Sequence, residues 1–361
     1  MSDLQAAGWR QRGIALISVL LLLVFILTIV GGLFYRHQIH IQKVTRSLVG
    51  EQALLFLLSA EGWAQSVLVA DGDNSATDHL REAWARALPA MPIEGGRISG
   101  CVRDLQGLFN INSLAGYSIA SWEDEVAAEL LAPVNTTRRT LFRNLLQQLD
   151  LDSSDTRIAA LVDWLDDDSW LVSADSAEDN EYLLLDPPYR AANQPLVELS
   201  ELSLVQGFGP RDVVRLQPWV NTVAEEVPIN INTAPAQVLM ALSPLITAEV
   251  AQGIGEGRPY GSVSGFYVTL AGLVGQTQQD LQTLLPAELV AVDSSYFSLL
   301  ADVELAGVRM AYTSVIHRSG GDGARVLSRT LRPIPALADR AGEALAINTL
   351  CAQTEEAGAR P

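Results

Sequence analysis

The distribution of apolar and polar positions predicts one very long helix at the start of the chain. Residues 14–35 form an uncharged run in which Ser18 and Thr28 are the polar interruptions. About 20 apolar residues are enough for a helix to cross a bilayer. Beyond this run, apolar residues recur at helical spacing among charged ones. We therefore expect a continuous helix over residues 14–70, transmembrane at about 14–35 and packed on a soluble domain thereafter.

Two later segments alternate between apolar and polar side chains, which is typical of β-strands. One covers residues 96–114 and has a turn at Gly107; the other covers residues 295–333 and has GGDG at its turn. A turn of this kind between β-rich segments indicates a β-hairpin. We expect both hairpins to belong to one small antiparallel sheet.

The block between these strand-rich segments has helical periodicity. Residues 121–288 contain several short helical segments separated by polar or proline-containing loops. The sequence therefore predicts an α+β fold in which a large inserted α-helical domain interrupts a small α/β domain. The first part of that α/β domain is expected at 71–120, and the second part, with a C-terminal tail, at 289–361.

Composition and charge narrow the functional classes. The 361 residues are 48% hydrophobic and 18% charged, as in a folded protein, and they carry a net charge of −18. An acidic body of this kind repels nucleic acid and suits cations or basic partner surfaces. Arg10 and Arg12 directly precede the apolar run and predict a cytoplasmic N-terminus with an exported body.

The common catalytic motifs do not occur in the sequence. Of the four histidines, His37 and His40 lie beside the apolar run, and there is no His-Glu-x-x-His pair, Gly-x-Ser-x-Gly elbow or P-loop. We therefore predict that the protein is not an enzyme.

Two cysteines, Cys101 and Cys351, lie far apart in the sequence and lack the spacing of a metal or redox site. In an oxidising compartment they form either one disulfide or two buried thiols, and the sequence favours neither. A disulfide closing so long a loop stabilises a fold by about 5 kcal/mol in the chain-entropy model.

The boundary between Gly13 and Ile14 resembles a processing site. A secretory signal has a shorter apolar core followed by a small-residue cleavage site, whereas here a basic leader ends in Gly13 directly before the apolar run. This order is similar to that of type IV prepilins. The resemblance implies a leader peptide at 1–13, cleavage between Gly13 and Ile14 by prepilin peptidase, and N-methylation of Ile14; a plain membrane anchor is the alternative.

Longer motifs extend the resemblance over nearly the whole chain. They are DLQGLFNINSL, DWLDDDS, AEDNEYLLLDPPYRAANQPLVELSELSLVQG and PININTAP. Together with the leader they are similar to the minor pseudopilin K family of the type II secretion system. The resemblance implies a pilin-like fold and a non-catalytic role in capping the tip of the periplasmic pseudopilus and helping to initiate its assembly for protein export across the outer membrane.

The same resemblance implies partners and a location. The partners are minor pseudopilins I and J, other pseudopilins and prepilin peptidase, and the location is the inner membrane of a Gram-negative bacterium, single-pass, with the body in the periplasm. Most pilin-like proteins have a glutamate as fifth residue of the mature chain, and the K family is an exception, as is this chain with Ser18. A subunit with nothing stacked above it needs no carboxylate to neutralise a neighbour's amine.

An acidic segment between residues 163 and 186 is a candidate cation site, because crowded carboxylates repel unless a cation offsets them. Oxygen ligands suit Ca²⁺, although the spacing is not that of an EF-hand. The family resemblance implies a structural calcium ion held by these side chains: Asp166, Asp168, Glu178, Asp179 and Asn180. This chain has WLVSADS where the family usually has a Pro/Gly-rich stretch, and the alternative is a solvated loop that caps helix N-termini.

A rival function comes from PININTAPAQVLMALSPLITAEVAQGIGEGR, which resembles the helix-hairpin-helix of DNA-uptake proteins. That reading makes the chain a membrane-anchored DNA-binding protein. The hairpin SPLI has no glycine, and Glu249 and Glu256 flank it with only Arg258 nearby. Because phosphate binding needs cations and free amides, we expect no nucleic-acid partner.

Overall fold

The computed structural model describes residues 7–115, 125–320 and 323–332. Its first helix, α1 (Ala7–Asn74), has 68 residues and is about 100 Å long at 1.5 Å per residue. Among the described residues, α1 contains the only segment long and apolar enough to cross a membrane. The helix therefore continues beyond the expected span of 14–70 at both ends.

The remaining elements are a series of strands and shorter helices. The strands are β1 (Leu88–Ile93), β2 (Gly96–Asp104), β3 (Phe109–Asn110), β4 (Val220–Asn221), β5 (Ile229–Asn230), β6 (Val290–Ala291), β7 (Tyr296–Leu305), β8 (Val308–Arg318) and β9 (Ala324–Arg332). The helices are α2 (Glu125–Gln148), α3 (Asp155–Leu165), α4 (Asp179–Tyr182), α5 (Pro210–Leu216), α6 (Ala236–Leu242), α7 (Ala248–Glu256), α8 (Val263–Val274) and α9 (Gln278–Leu284). The expected α+β composition is confirmed.

The antiparallel sheet is formed in the order β1-β2-β7-β8-β9, and the second half of α1 packs on it. Leu57 of α1 belongs to the same buried cluster as Phe297 of β7 and Tyr312 of β8. Glu61, also buried, accepts a hydrogen bond from Arg329 at 2.8 Å and another from the Tyr312 hydroxyl. The second half of α1 is thus part of the core of the sheet domain.

The helical domain is inserted between two neighbouring strands. Asp104, the last residue of β2, faces Phe297 of β7, so the intervening chain leaves and returns at adjacent positions. The buried side chains of this domain form a cluster of their own, which includes Phe142, Trp164 and Phe266. The limits of 121 and 288 stay predictions, although the helical core already includes Phe109 and extends to Val292.

The first hairpin lies earlier in the chain than the sequence pattern predicts. It joins β1 and β2 and turns at Gly95, whose φ of +82° favours glycine. Gly107 is a close-approach residue instead, because a Cβ there would lie 2.6 Å from Thr233 Oγ1. Phe109–Asn110 forms β3, which pairs in parallel with β4. The prediction of one hairpin turning at Gly107 was therefore wrong, since contacts with the helical domain override the alternating pattern.

A buried polar network connects the two domains. Asp104 accepts hydrogen bonds from Thr233 Oγ1 at 2.5 Å, Ser294 Oγ at 2.7 Å and Asn230 Nδ2 at 3.1 Å. Burial raises the pKa of Asp104 to about 6, and these hydrogen bonds oppose the rise. Asn230 and Thr233 belong to the segment PININTAP, whose buried amides and hydroxyl therefore have a structural role.

Cys101 lies buried on β2 and takes part in a disulfide. Cys351 lies outside the described residues, so the pairing of the two cysteines stays a prediction.

Candidate metal centre

The candidate centre is the acidic loop, which we define as residues 163–179, from the last turn of α3 to the first residue of α4. Asp163 lies in the last turn of α3, and Asp166 follows the helix in an extended conformation. Glu178 closes the loop as N-cap of α4, with a capping box that also uses Glu181. The end of one helix and the start of the next thus hold acidic side chains at both ends of the loop.

Three of these carboxylates each have a buried oxygen without a hydrogen-bond donor. They are Asp163 Oδ2, Asp166 Oδ1 and Glu178 Oε1, and their residues are 0%, 7% and 4% exposed. The second oxygen of Asp163 accepts the Val172 amide at 2.8 Å, and that of Glu178 accepts the Asp179 amide at 3.3 Å. Since a buried carboxylate oxygen without a partner is costly, these three atoms are candidate ligands for a cation.

Asn193 adds a neutral oxygen to the same region. Its Nδ2 donates to the carbonyl of Asp168 at 2.6 Å, and its Oδ1 is buried without a donor. The residue has a positive φ of 46°, a conformation that asparagine adopts more readily than most residues. An amide oxygen beside carboxylates is a typical calcium ligand.

Burial and mutual repulsion raise the pKa values of these carboxyl groups. Burial, followed by repulsion from Asp168 and Asp163, raises the pKa of Asp166 to about 8. Burial also raises the pKa of Glu178 to about 7, with Asp163 again among the repelling charges. Burial also raises the pKa of Asp163, and the positive charge of Arg139 offsets only part of this rise. A divalent cation would favour the ionised form of all three carboxylates.

The ligands implied by the family resemblance divide into two sets. Asp166 and Glu178 offer buried oxygens, and Asp168 lies close enough to repel both while its Oδ1 accepts the Trp170 amide at 2.7 Å. Asp179 is bound to Arg190 at 2.8 Å and to the Ala191 amide at 3.1 Å, and Asn180 is exposed.

Sequence reasoning did not select Asp163 or Asn193 as ligands. Asp163 lies three residues before Asp166, a spacing close enough to have indicated it as a further ligand. No sequence signal identifies Asn193, which the fold brings to the acidic loop from a later segment.

A second acidic group differs from the acidic loop in being tightly assembled. It consists of Asp71, Asp78 and Glu82, each of which has a carboxylate oxygen within 4.8 Å of the others. Among the described residues, no other three side chains of types that bind metals come so close together. Arg318 lies among the three carboxylates, 2.6 Å from Asp78 Oδ2 and 3.2 Å from Asp71 Oδ2. We call these four residues the junction cluster. The Arg318 guanidinium supplies one positive charge within this cluster.

Known proteins resemble the chain over most of its length. Family models described as type II secretion system (T2SS), protein K match residues 107–225 and 229–287. Type II secretion system protein K of Pseudomonas aeruginosa is 31% identical over 342 residues, covering 90% of this chain and 96% of that protein. The chain belongs to the type II secretion system protein K family. Protein K of Aeromonas hydrophila is 32% identical over 335 residues, covering 89% and 97% of the two chains.

A solved structure supports the same family assignment. A chain in the crystal structure of the GspK-GspI-GspJ complex from enterotoxigenic Escherichia coli superposes with a TM-score of 0.66 at 28% identity. The match covers 80% of this chain and 99% of that one. The protein is accordingly a minor pseudopilin, a structural component of the type II secretion machinery.

In this protein K fold, the helix-hairpin-helix segment consists of α6 and α7. Its single arginine, Arg258, donates through Nη2 to the Ala234 carbonyl at 2.6 Å, and burial lowers the pKa of its guanidinium to about 10. Glu249 and Glu256 remain exposed or half-exposed on α7. The segment therefore offers acid to solvent and no free cation of its own, and the DNA-binding alternative is not favoured.

Proposed function

We propose that the protein caps the tip of the periplasmic pseudopilus in complex with minor pseudopilins I and J, and helps to initiate assembly of the fibre. The observation that carries the proposal is the likeness to a chain of the GspK-GspI-GspJ complex over 80% of this sequence. The inserted helical domain supports it, because its bulk on one side of a pilin-like sheet would obstruct a subunit added above. The role is one of assembly and is non-catalytic.

The membrane part follows the prepilin pattern in this proposal. Prepilin peptidase cleaves between Gly13 and Ile14 and methylates the amine of Ile14, both of which lie within α1. Arg10 and Arg12 hold the leader on the cytoplasmic side of the inner membrane, and the body from the end of the span onward is periplasmic. Ser18 leaves no carboxylate at the fifth mature position, as expected for a terminal subunit.

Calcium is a structural part of the same proposal. Asp163, Asp166 and Glu178 would hold the ion with their unpartnered oxygens, and Asn193 and Asp168 lie where they would complete the shell. The ion supplies two positive charges where four acidic side chains repel one another. Its effect would be to tie the acidic loop to α3 and α4, not to promote a reaction.

Co-purification tests the assembly role. The full chain, coexpressed with minor pseudopilins I and J and extracted in detergent, is expected to elute as one complex with both partners. A control with an unrelated single-pass protein of similar charge should elute without them. Separate elution of all three proteins in the presence of calcium would contradict the tip model.

Calorimetric titration tests the metal. Calcium is expected to bind the EGTA-treated full chain in detergent with measurable heat, and the double variant Asp166→Asn with Glu178→Gln should show none. Equal heats for the wild type and the double variant would place the ion elsewhere. An absence of heat in the wild type would overturn the calcium proposal.

A further inference from the structure

Asp104 is a buried carboxylate at the end of β2, where the chain leaves the sheet for the helical domain. Its Oδ1 accepts the Gln106 amide at 2.8 Å, and its Oδ2 accepts the three side-chain hydrogen bonds described above. Two of those donors, Asn230 and Thr233, come from the helical domain, and the third, Ser294, lies two residues before β7. We call Asp104 and these three donors the Asp104 network. A single carboxylate thus links the outgoing and the returning chain.

The surroundings of Asp104 disfavour its ionised form. Within the described residues its partners are amides and hydroxyls, and no arginine, lysine or histidine is bonded to it. The neighbouring Arg103 donates instead to the Pro218 carbonyl. Asp78 brings a like charge close, because it accepts the Ser294 amide at 2.7 Å while Asp104 accepts the hydroxyl of the same serine. A buried carboxylate in such a place gains from binding a proton.

The junction cluster adds to this excess of acid. Arg318 pairs there with Asp71 and Asp78, and Glu82 lies beside them, 3.6 Å from His79 Nε2. Burial and the charge of Asp78 raise the pKa of Asp104 to about 6, against the opposing effect of its hydrogen bonds. An ionised Asp104 would be a fourth carboxylate in a region where Arg318 is the bonded arginine.

The hydroxyls of the Asp104 network can accommodate a proton without loss of a hydrogen bond, because a hydroxyl either donates or accepts. Thr233 Oγ1 lies 2.5 Å from Asp104 Oδ2 and 3.3 Å from the Asn230 carbonyl. When Asp104 is protonated, it can donate to Thr233 Oγ1, whose own hydrogen then turns to that carbonyl. The protonated carboxyl is therefore satisfied inside the closed network, without the cost of a buried charge.

We infer that Asp104 is a pH-sensitive switch between the two domains: its protonated carboxyl holds the helical domain against the sheet, and its ionisation loosens that contact. In the open form the carboxyl is solvated and has its ordinary pKa of 3.8, so the closed form holds a proton that the open form has lost between about pH 4 and about pH 6. Closure is therefore strongest below this range and weakens as the pH rises through it. The switch belongs to this chain alone and does not depend on the proposed partners.

Amide hydrogen exchange of the full chain in detergent, followed by mass spectrometry from pH 4 to pH 7, tests the switch. Residues 229–234 report on it, because the Asn230 amide donates to the Gln106 carbonyl and the Ile231 amide to the Ala291 carbonyl. After correction for intrinsic exchange rates, the opening constant of this segment is expected to rise about a hundredfold, as the difference between pKa values of 3.8 and about 6 requires. Residues 141–146, in the core of the helical domain, should show a much smaller rise.

Two variants with the same change of side chain separate Asp104 from other buried acids. Asp104→Asn cannot ionise and carries a donor, as the protonated carboxyl does, so the rise should fall below about tenfold. Asp302→Asn is the control, because Asp302 is a buried carboxylate of the same sheet that is bonded to Arg309. It should keep the full rise.

An opening constant of residues 229–234 in the wild type that is equal at pH 4 and pH 7 would overturn the switch, and that result needs no variant. An equal rise in the wild type and Asp104→Asn would assign the titration to another group and also overturn it. The same holds if Asp71→Asn abolishes the rise. Equal rises in residues 229–234 and 141–146 would show unfolding of the whole helical domain in place of a loosened contact.

Discussion

The junction cluster and the acidic loop both crowd carboxylates together, but the junction cluster includes an arginine among them whereas the acidic loop leaves carboxylate oxygens unpartnered. In the junction cluster, Arg318 pairs with Asp71 and Asp78, and it also donates to the Ser294 carbonyl at 2.7 Å. In the acidic loop, Asp163, Asp166 and Glu178 keep buried oxygens without donors. The more compact group is the one that contains a cation of its own. Density of acidic residues is therefore a weaker sign of a metal site than buried oxygens that lack a partner.

Removing the internal cation should have the largest effect. Arg318→Met leaves Asp78 buried and Asp71 half-buried without their counter-ion, and we expect a loss of about 3–5 kcal/mol in the free energy of unfolding. Arg97→Met is the control, because its ion pair with Glu304 is exposed and contributes about 0–1 kcal/mol. Urea denaturation measures both. A loss of equal size in the two variants would show that the junction cluster is not stabilised by Arg318.

Removing the proposed calcium ion should have the next largest effect on stability. Free calcium at a hundred times its dissociation constant stabilises the folded state by about 2.7 kcal/mol. EGTA should therefore lower the melting temperature of the wild type and of the Arg318→Met variant equally, because none of the proposed calcium ligands belongs to the junction cluster. A calcium effect that disappears in Arg318→Met but persists in Asp166→Asn would reverse the assignment of the two clusters.

A smaller difference should separate the two possible ligand sets within the acidic loop. Asp163→Asn removes a charge at an unpartnered oxygen, and we expect calcium affinity to fall about tenfold, or about 1.4 kcal/mol. Asp179→Asn removes the same charge from a residue already paired with Arg190, and the affinity should change less than about twofold. Calorimetric titration of both variants decides between them, and the reverse order would restore Asp179 as a ligand in place of Asp163.

Stability should also depend on pH in the absence of calcium. The folded-state pKa values of Asp166 and Glu178 are raised to about 8 and about 7, above their ordinary values of 3.8 and 4.5. Between these limits the folded chain holds protons that the unfolded chain has lost, so stability falls as the pH rises. In EGTA, the melting temperature should decline from pH 5 toward pH 8, and Asp166→Asn should reduce the decline. An identical decline in wild type and variant would locate the titrating group outside the acidic loop.

Much of the fold is encoded in local patterns of the sequence. The apolar run and the helical spacing after it indicate α1, and the β-rich segment with the GGDG sequence indicates β8 and β9. Local patterns fail where distant parts of the chain meet. The alternating pattern around Gly107 predicts a hairpin turn, but Gly107 lies against Thr233, and Phe109–Asn110 pairs with β4 instead.

The candidate centre is predictable to a similar degree. Asp166 and Glu178 are implied by the family resemblance, and both carry unpartnered oxygens in the structure. The helix end and the helix start that position them are local features. The engagement of Asp179 by Arg190 and the approach of Asn193 depend on how the chain after α4 folds back. Such contacts have no periodic signature, and only the folded structure shows them.

The insertion point of the helical domain determines how that domain can transmit force. The chain leaves the sheet after Asp104 and returns opposite it at Phe297, and the Asp104 carboxylate joins both sides through Thr233 and Ser294. Two adjacent chain connections and the buried hydrogen bonds between them restrict rotation of the helical domain relative to the sheet. A domain on a single linker would not be restricted in this way. A force applied to the helical domain would therefore be transmitted to the sheet, and from the sheet to α1.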